Sequence, residues 1–238
     1  MPQYQLLIVL LCIGAGSLVS VLANKLTFWA AVCAFIVATA IYLGAGFAGI
    51  VMLALFFISA VLATHHKKEQ KTKLNISEQG NKRNAGQVLA NGGVAGLAGF
   101  LAYAFLEYNF VLNVIVAASL SSAMADTLSS ELGVIYGRNP INIISLRRDK
   151  EGKDGVISIE GTLIGILGSF VIGVTFCVFY GFAVKLLFII VLAGTVGNFA
   201  DSFMGATLER NGALGNNAVN FLNTLAAALI SIVLYLVW

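Results

Sequence analysis

The stretch of sequence that decides the fold runs from Leu26 to Thr64, LTFWAAVCAFIVATAIYLGAGFAGIVMLALFFISAVLAT, and contains no charged side chain. A helix that crosses the hydrocarbon core of a bilayer needs about 20 apolar residues, so this stretch is long enough for two crossings. Only the glycines from Gly44 to Gly46 divide it, and we expect the chain to turn there. The stretch therefore indicates a protein that is built inside a membrane.

The composition of the whole chain supports the same conclusion. Of the 238 residues, 59% are hydrophobic and 11% are charged, and the mean hydropathy is +0.91, whereas an ordinary soluble chain is about 25% charged. These values exclude a soluble enzyme, a DNA-binding module and a disulfide-stapled secreted domain. The net charge of +3 follows from membrane topology and implies no nucleic-acid partner. Three cysteines lie inside apolar runs without a CxxC pair, and we interpret them as packing residues: Cys12, Cys33 and Cys177.

We predict an all-α polytopic membrane protein with about eight transmembrane helices. The predicted spans are 4–23, 26–43, 45–64, 87–106, 109–130, 157–181, 184–204 and 217–237. They divide the chain into N-terminal spans 1–3 (residues 1–64), a basic loop (65–86) and a core membrane domain (87–238) that contains a second loop (132–156). The two loops carry six and five Lys or Arg residues, so the positive-inside rule predicts that both are cytoplasmic. The expected location is a bacterial inner membrane or an organelle membrane.

The second half of the chain contains a weak internal repeat. Residues 91–99 (NGGVAGLAG) and 160–168 (EGTLIGILG) each begin with a polar residue and then place three glycines on one helical face. Each segment is followed by a short turn and a helix that returns to an Ala-Asp pair, at Asp126 and at Asp201. We therefore expect a helical hairpin that is used twice in parallel orientation, with the glycines serving close helix packing.

Polar side chains inside the spans mark the candidate site, because ionisable groups are costly in a membrane. Four acids fall at the loop-side ends of the fifth and seventh spans: Asp126, Glu131, Asp201 and Glu209. Amide side chains accompany them on neighbouring spans: Asn91, Asn198, Asn216, Asn217, Asn220 and Asn223. This convergence of helices at one depth favours a binding site over isolated packing contacts.

The chemistry of these groups predicts phosphoryl transfer. Carboxylate and amide oxygens are hard ligands that suit Mg²⁺, and we predict that the four acids bind it. The second loop adds cations that would neutralise phosphate oxygens. We expect Asp126, Asp201, Arg138 and Arg147 to be catalytic. The expected substrate-binding residues are Asn91, Arg148, Lys153, Asp154, Asn198, Asn216, Asn217 and Asn220. We assign the basic cluster at 67–83, together with His65 and His66, to a solvated surface, and the sequence contains no P-loop and no kinase catalytic loop.

Four ordered motifs resemble one integral-membrane family. They are SAMADTLSSELG (122–133), GKDGVISIEGT (152–162), GNFADSFMGATLE (197–209) and NNAVNF (216–221). The family, long described as a domain of unknown function, contains the plant phytyl-phosphate kinase and animal transmembrane protein nineteen. The resemblance covers residues 87–238. It implies an enzyme that uses a nucleoside triphosphate to phosphorylate an isoprenoid monophosphate to its diphosphate.

A looser similarity connects the chain with CTP-dependent polyprenol and phytol kinases and with CDP-diacylglycerol synthases. It rests on Asp126, on Gly-x-x-x-Gly-Arg ending at Arg138, and on Glu160-Gly-Thr. The sequence departs from that pattern at Ala125, where glycine is usual, and at Ile159, where a basic residue is common.

The resemblance and the polar side chains together predict Mg²⁺ as cofactor, a nucleoside triphosphate as phosphoryl donor and a lipid monophosphate as substrate in the membrane. The alternative is a transporter or flippase of a phosphorylated lipid or an ion, which would favour a site at the bilayer midplane between broken helices.

Overall fold

The computed structural model describes residues 3–73 and 82–238, so the part of the basic loop at 74–81 lies outside the described residues. Its helices are α1 (Gln3–Leu22), α2 (Phe28–His65), α3 (Lys68–Lys73), α4 (Ala85–Ala104), α5 (Asn109–Tyr136), α6 (Ile159–Tyr180), α7 (Val184–Met204) and α8 (Asn216–Val237). All of these except α3 are long and apolar enough to cross a membrane, which confirms the all-α polytopic fold. A 3-10 turn (Leu106–Tyr108) precedes α5, and a π-helical turn (Gly205–Glu209) follows α7.

The helix α2 is a hairpin and not a straight rod. Gly46 has φ 60° and ψ −146°, a conformation that glycine adopts without the steric penalty of a Cβ atom. A straight helix of 38 residues would be about 57 Å long, yet Lys25, just before its start, donates to His65 at its end (Nζ to Nε2 2.9 Å). The two halves therefore run antiparallel, so the seven candidate membrane helices contain the eight apolar segments that the sequence predicts.

One hydrophobic core joins the first and second halves of the chain. Its centre is α5, in which every residue from Asn113 to Asp126 is buried, and α2, α4, α6, α7 and α8 pack against it. Glycines permit the close approach of neighbouring helices. A Cβ atom at Gly99 of α4 would lie 2.6 Å from the Cα atom of Ile41 in α2. The glycine-rich faces therefore serve helix packing, as predicted.

The two ends of the bundle differ in character. One end, called here the loop end, carries α3 and the connection between α5 and α6, in which β1 (Ile141–Asn142) pairs antiparallel with β2 (Val156–Ile157). The far end carries the short turns. There Asn109 donates to the carbonyl oxygen of Gly44 (3.0 Å), and the Tyr180 hydroxyl donates to that of Ala45 (3.2 Å). Both long connections thus lie at the same end, where they surround the polar helix ends.

Candidate functional site

A cavity of about 420 Å³ opens at the loop end of the bundle. Side chains of α2, α4, α5, α7 and α8 and of the connection between α5 and α6 line it. Its volume falls in the usual range for small-molecule sites, about 300–1,000 Å³. Most of the side chains that line it are polar, which is unusual for the interior of a membrane bundle and identifies the cavity as the candidate site.

Two carboxylic acids from parallel helices meet in the cavity wall. Asp126 of α5 is 9% exposed, and its carboxyl group lies close enough to that of Asp201 of α7 for the two to interact electrostatically. We call these two residues the acid pair. Glu209, carried by the π-helical turn after α7, lies near enough to interact electrostatically with both. Carboxyl groups this close repel each other unless a proton or a cation lies between them, so the acid pair is suited to holding one.

A buried amide orients the acid pair. The side chain of Asn223 in α8 is fully buried and donates to Asp201 (Nδ2 to Oδ1 2.8 Å). Its own Oδ1 accepts from the Ser122 hydroxyl at 2.9 Å. Asn223 therefore links Ser122 on α5 to Asp201 on α7 through two hydrogen bonds. The sequence signal for it was its place among the amides of α8, although no catalytic, metal-binding or substrate-binding role was predicted for it.

Asn91 lines the same cavity and also has a buried oxygen without a partner among the described residues. Its side chain is 7% exposed, and Nδ2 donates to the carbonyl oxygen of Gln87 at 3.0 Å. Its Oδ1 is buried and has no hydrogen-bond partner among residues 3–73 and 82–238. A buried polar atom without a partner costs about 1–3 kcal/mol. A ligand that brings a donor or a cation to this oxygen would remove that cost.

The other amides divide into those that line the cavity and one that does not. Asn198, Asn216 and Asn220 line it, and Asn198 accepts from the Ser129 hydroxyl (3.1 Å). Asn217 is not part of the lining. Its amide instead packs against Gly86 at the start of α4, which corrects its expected role in substrate binding.

The arginines of the second loop do not reach the cavity. Arg138, Arg147 and Arg148 are exposed and outside its lining, which corrects the expectation that they clamp phosphate. Pairing of β1 with β2 folds this loop into a small hairpin, and Arg148 donates there to Asn139 (2.7 Å). Lys153 and Asp154, which follow in the same loop, do line the cavity.

Polar contacts hold the connection between α5 and α6 against the segment that follows α7. Arg210 donates to the carbonyl oxygen of Asp154 (2.6 Å) and forms an ion pair with Asp149 (2.8 Å). The backbone N–H of Lys150, then Arg210 and Lys153, lower the pKa of Asp149 to about 2. Asp149 therefore stays ionised until the pH falls well below the usual pKa of an aspartate side chain. Gly155 has φ +70°, and a Cβ atom there would clash with the backbone of Ala206.

Apart from Lys153, the basic side chains that line the cavity come from the first part of the chain. They are Lys25, Lys68, Lys71, Lys82 and Arg83, and His65 lies with them. Lys68 and Lys82 are exposed, as the assignment of the 67–83 cluster to a solvated surface expects, but Lys71 is buried, and all three line the cavity together with Arg83. The α2 hairpin, whose ends meet at Lys25 and His65, brings these charges to the same opening as the acids.

Glu131 does not join the acid pair as a metal ligand in this structure. Its Oε2 forms an ion pair with Lys71 (2.6 Å), and its Oε1 accepts from Thr64 (2.8 Å). Lys71 is 3% exposed and also donates to the carbonyl oxygen of Ala63 (2.7 Å). Both carboxylate oxygens are thus engaged, and we remove Glu131 from the predicted Mg²⁺ ligands.

The remaining acids suit a metal that brings other ligands with it. Within the described residues no group of three or more His, Cys, Asp or Glu side chains is arranged to hold a metal ion. Mg²⁺ usually binds one or two carboxylates and completes its shell with water and substrate phosphate. The acid pair, which lines the same cavity as Glu209, fits that pattern.

Comparison with known proteins agrees with this description. The model of the family described as "Integral membrane protein DUF92" matches residues 10–228. An uncharacterized membrane protein of Methanocaldococcus jannaschii is 35% identical, covering 80% of this chain and 77% of that protein. Protein VTE6, chloroplastic, of Arabidopsis thaliana is 26% identical (84% and 62%), and Protein PGR of the same plant is 27% identical (89% and 81%). No solved structure matches the chain. The family match spans most of the chain, from within α1 to within α8, and the chain belongs to the integral membrane protein family DUF92.

Proposed function

We propose that this protein is a membrane phosphotransferase that converts an isoprenoid monophosphate to its diphosphate with a nucleoside triphosphate and Mg²⁺. The observation that carries the proposal is the acid pair, which shares a cavity with a cluster of basic side chains at the loop end of a membrane bundle. The likeness of the motifs to the family of the plant phytyl-phosphate kinase, and the relationship to Protein VTE6, support a reaction of this class.

The acid pair would hold Mg²⁺ in this proposal. Asp126 and Asp201 supply carboxylate oxygens, and Glu209 and Asn91 line the same cavity. When bound, Mg²⁺ neutralises charge on phosphate oxygens. Asn223 orients Asp201 through the hydrogen bond at 2.8 Å, so that this carboxylate stays in one geometry.

The chemistry of the acceptor explains why the site needs no general base. An oxygen of the lipid monophosphate attacks the γ-phosphorus, a new P–O–P bond forms, and the bond between the β-γ bridging oxygen and the γ-phosphorus breaks. The nucleoside diphosphate leaves. A phosphate monoester already carries a nucleophilic oxygen at neutral pH, so catalysis reduces to positioning and charge neutralisation. The chain's two histidines, His65 and His66, both lie outside the acid pair, as this mechanism permits.

The place of the cavity in the bundle suits an amphipathic substrate. The cavity opens at the ends of the helices, and the outer faces of the long helices expose large apolar side chains such as Leu163, Leu167 and Phe203. A lipid tail remains in contact with such faces in a bilayer, while its phosphate enters the polar cavity. This arrangement supports a lipid phosphate over a wholly water-soluble acceptor.

One observation favours a second candidate function. Adjacent acids that share a proton are typical of proton relays in transporters, and the acid pair has that geometry. Proton-coupled movement of a phosphorylated lipid is therefore the alternative. It accounts less well for the basic side chains that line the same cavity.

A transfer assay on the purified full chain in lipid nanodiscs tests the proposal. The donors are γ-labelled CTP, ATP and UTP with Mg²⁺, and the acceptors are phytyl, geranylgeranyl, farnesyl and undecaprenyl monophosphates, each compared with its free alcohol. We expect a labelled lipid diphosphate from at least one monophosphate, weaker labelling of the alcohols and loss of the signal with EDTA.

The same assay contains the outcome that contradicts the proposal. If folded protein labels no lipid with any donor, the phosphotransferase proposal fails. Movement of a labelled lipid phosphate between leaflets in that case supports the transport alternative.

A further inference from the structure

We infer that Lys25, Lys68, Lys82 and Arg83, called here the basic rim, form the docking site for the polyphosphate of the nucleoside triphosphate. The inference rests on the proposed function and assigns the donor's place within the same cavity. The 67–83 charges would otherwise be explained by contact with lipid headgroups. Three features of the structure argue for a built site.

The first feature is a backbone link that fixes two parts of the rim together. The N–H of Arg83 donates to the carbonyl oxygen of Lys25 (2.9 Å), and the N–H of Thr27 donates to that of Arg83 (3.0 Å). Leu26 and Arg83 form a parallel bridge. The turn before α2 and the segment before α4, far apart in sequence, therefore hold their basic side chains at one place.

The second feature is the hydrogen bonding of Lys25. The ring of His65 contacts the carbonyl oxygen of Val61 through Nδ1 (2.8 Å) and Lys25 through Nε2 (2.9 Å). A carbonyl oxygen only accepts, so Nδ1 carries the hydrogen and Nε2 accepts from the ammonium group. His65 thereby orients Lys25 beside the cavity without forming an ion pair with it.

The third feature is the tether of α3. Lys71 is buried and bonded to Glu131 and to the carbonyl oxygen of Ala63, which fixes this short helix against the ends of α2 and α5. Lys68, at the start of the same helix, lies in the cavity wall. Because Lys71 is ion-paired with Glu131, we treat it as a positioning residue. It is not a member of the basic rim.

The position of the rim residues in the cavity wall favours a polyphosphate over a lipid headgroup as their ligand. The four rim residues line a cavity whose wall also contains the acid pair, and a metal-bound triphosphate is the ligand that bridges cations and carboxylates. Lys67 belongs to the same basic cluster but lies outside this cavity, 4.7 Å from the centre of the Tyr136 ring. Attraction to headgroups alone does not require cations to line a cavity.

Equilibrium binding of inorganic tripolyphosphate and Mg²⁺ to the full chain in nanodiscs tests the inference. We expect Lys25→Gln and Lys82→Gln each to raise the Kd for tripolyphosphate about tenfold, as the loss of one charge-assisted contact does. Lys25→Arg should restore most of the affinity, and Lys67→Gln, the matched control from the same cluster, should leave it unchanged. Thermal unfolding of each variant confirms that it is folded.

A lipid probe separates the two sources of phosphate. The Kd for geranylgeranyl monophosphate should change less than about twofold in the rim variants, since losses near tenfold are expected only for a lost charge-assisted contact. Weakened binding of the lipid probe with unchanged binding of tripolyphosphate overturns the inference, and so does an equal effect of Lys67→Gln. If the rim variants keep transferase activity with an unchanged KM for the nucleotide, the rim does not bind the nucleotide, but the proposed function stands. If tripolyphosphate binding depends on the rim but the protein labels no lipid, the assignment of the rim stands and the proposed function fails.

Discussion

Asn223 shows how one residue couples three helices. It lies on α8, donates to Asp201 on α7 and accepts from Ser122 on α5. A fully buried amide is stable only when its polar atoms are paired, and here the pairing fixes the carboxylate that the proposed chemistry needs. The residue acts through Asp201 and is a positioning residue.

Replacing Asn223 tests this role. We expect Asn223→Ala to reduce kcat about tenfold, because Asp201 loses a hydrogen bond whose free energy is roughly 1–2 kcal/mol, with little change in KM. The control is Ser231→Ala, which removes a buried hydroxyl from the same helix away from the cavity. Equal losses of kcat in both variants would show that the effect reflects the packing of α8 alone.

Sequence reasoning found the acids, most of the amides and Lys153 of the site, but not the cations that come from the first part of the chain. An acid such as Asp126 inside an apolar span is costly, so it is conspicuous in a sequence. Lys68 and Lys82 stand in a polar loop, where a charge has no such signature, and only the fold shows that they line a cavity. The same limit explains why Arg138 and Arg147 were wrongly expected there.

At the scale of the elements, backbone contact between α2 and α4 fixes the first hairpin to the rest of the bundle. A Cβ atom at Gly99 would lie 2.6 Å from the Cα atom of Ile41 and 2.7 Å from the carbonyl oxygen of Ala40. These atoms belong to the main chain and have no rotamer into which they can move. Small residues allow such approach in membranes, where packing drives helix association.

Gly99→Ala is therefore expected to destabilise the protein by about 1–3 kcal/mol, as overpacking does. Gly93→Ala is the matched control on the same helix, because its Cβ atom would meet nothing closer than the Phe221 ring at 3.8 Å. That control should be neutral or slightly stabilising, since alanine favours helix. Thermal unfolding in detergent measures both, and similar melting temperatures for the two variants would contradict the backbone contact.

The tether of α3 permits a second test at this scale. Lys71 is buried and lies 2.6 Å from the partly buried Glu131, so a double-mutant cycle with Lys71→Met and Glu131→Gln should give a coupling free energy of about 1–3 kcal/mol. The measurement is chemical unfolding of the four proteins. A coupling near zero would show that α3 is not held by this pair.

The extents of the elements were partly predictable from hydrophobicity. The turn of α2 near Gly46 was predicted because glycines interrupt an apolar run, and its direction became visible only through the contact of Lys25 with His65. The helix α5 continues to Tyr136, beyond the predicted span that ends at residue 130. Helical hydrogen bonding does not stop where the apolar run stops, so hydrophobicity underestimates such helices.

At the scale of the whole molecule, the orientation in the membrane remains a prediction from the Lys and Arg residues of the two long loops. Single cysteines at Lys67, Lys150 and Glu107, in a chain without Cys12, Cys33 and Cys177, test it. An impermeant thiol reagent outside intact cells should label the cysteine at Glu107 and neither of the others. Labelling of both loop positions from outside would reverse the orientation.

The most direct test of the central claim is the turnover of lipid monophosphate by variants of the acid pair. Asp126→Asn and Asp201→Asn should each lower kcat by at least about 100-fold, and the double variant should be little worse than either, because the two residues act as a unit. Glu107→Gln, at the far end of the bundle, should retain full turnover, and all four proteins should melt at similar temperatures. A folded single variant with turnover near that of the unaltered chain would contradict the account.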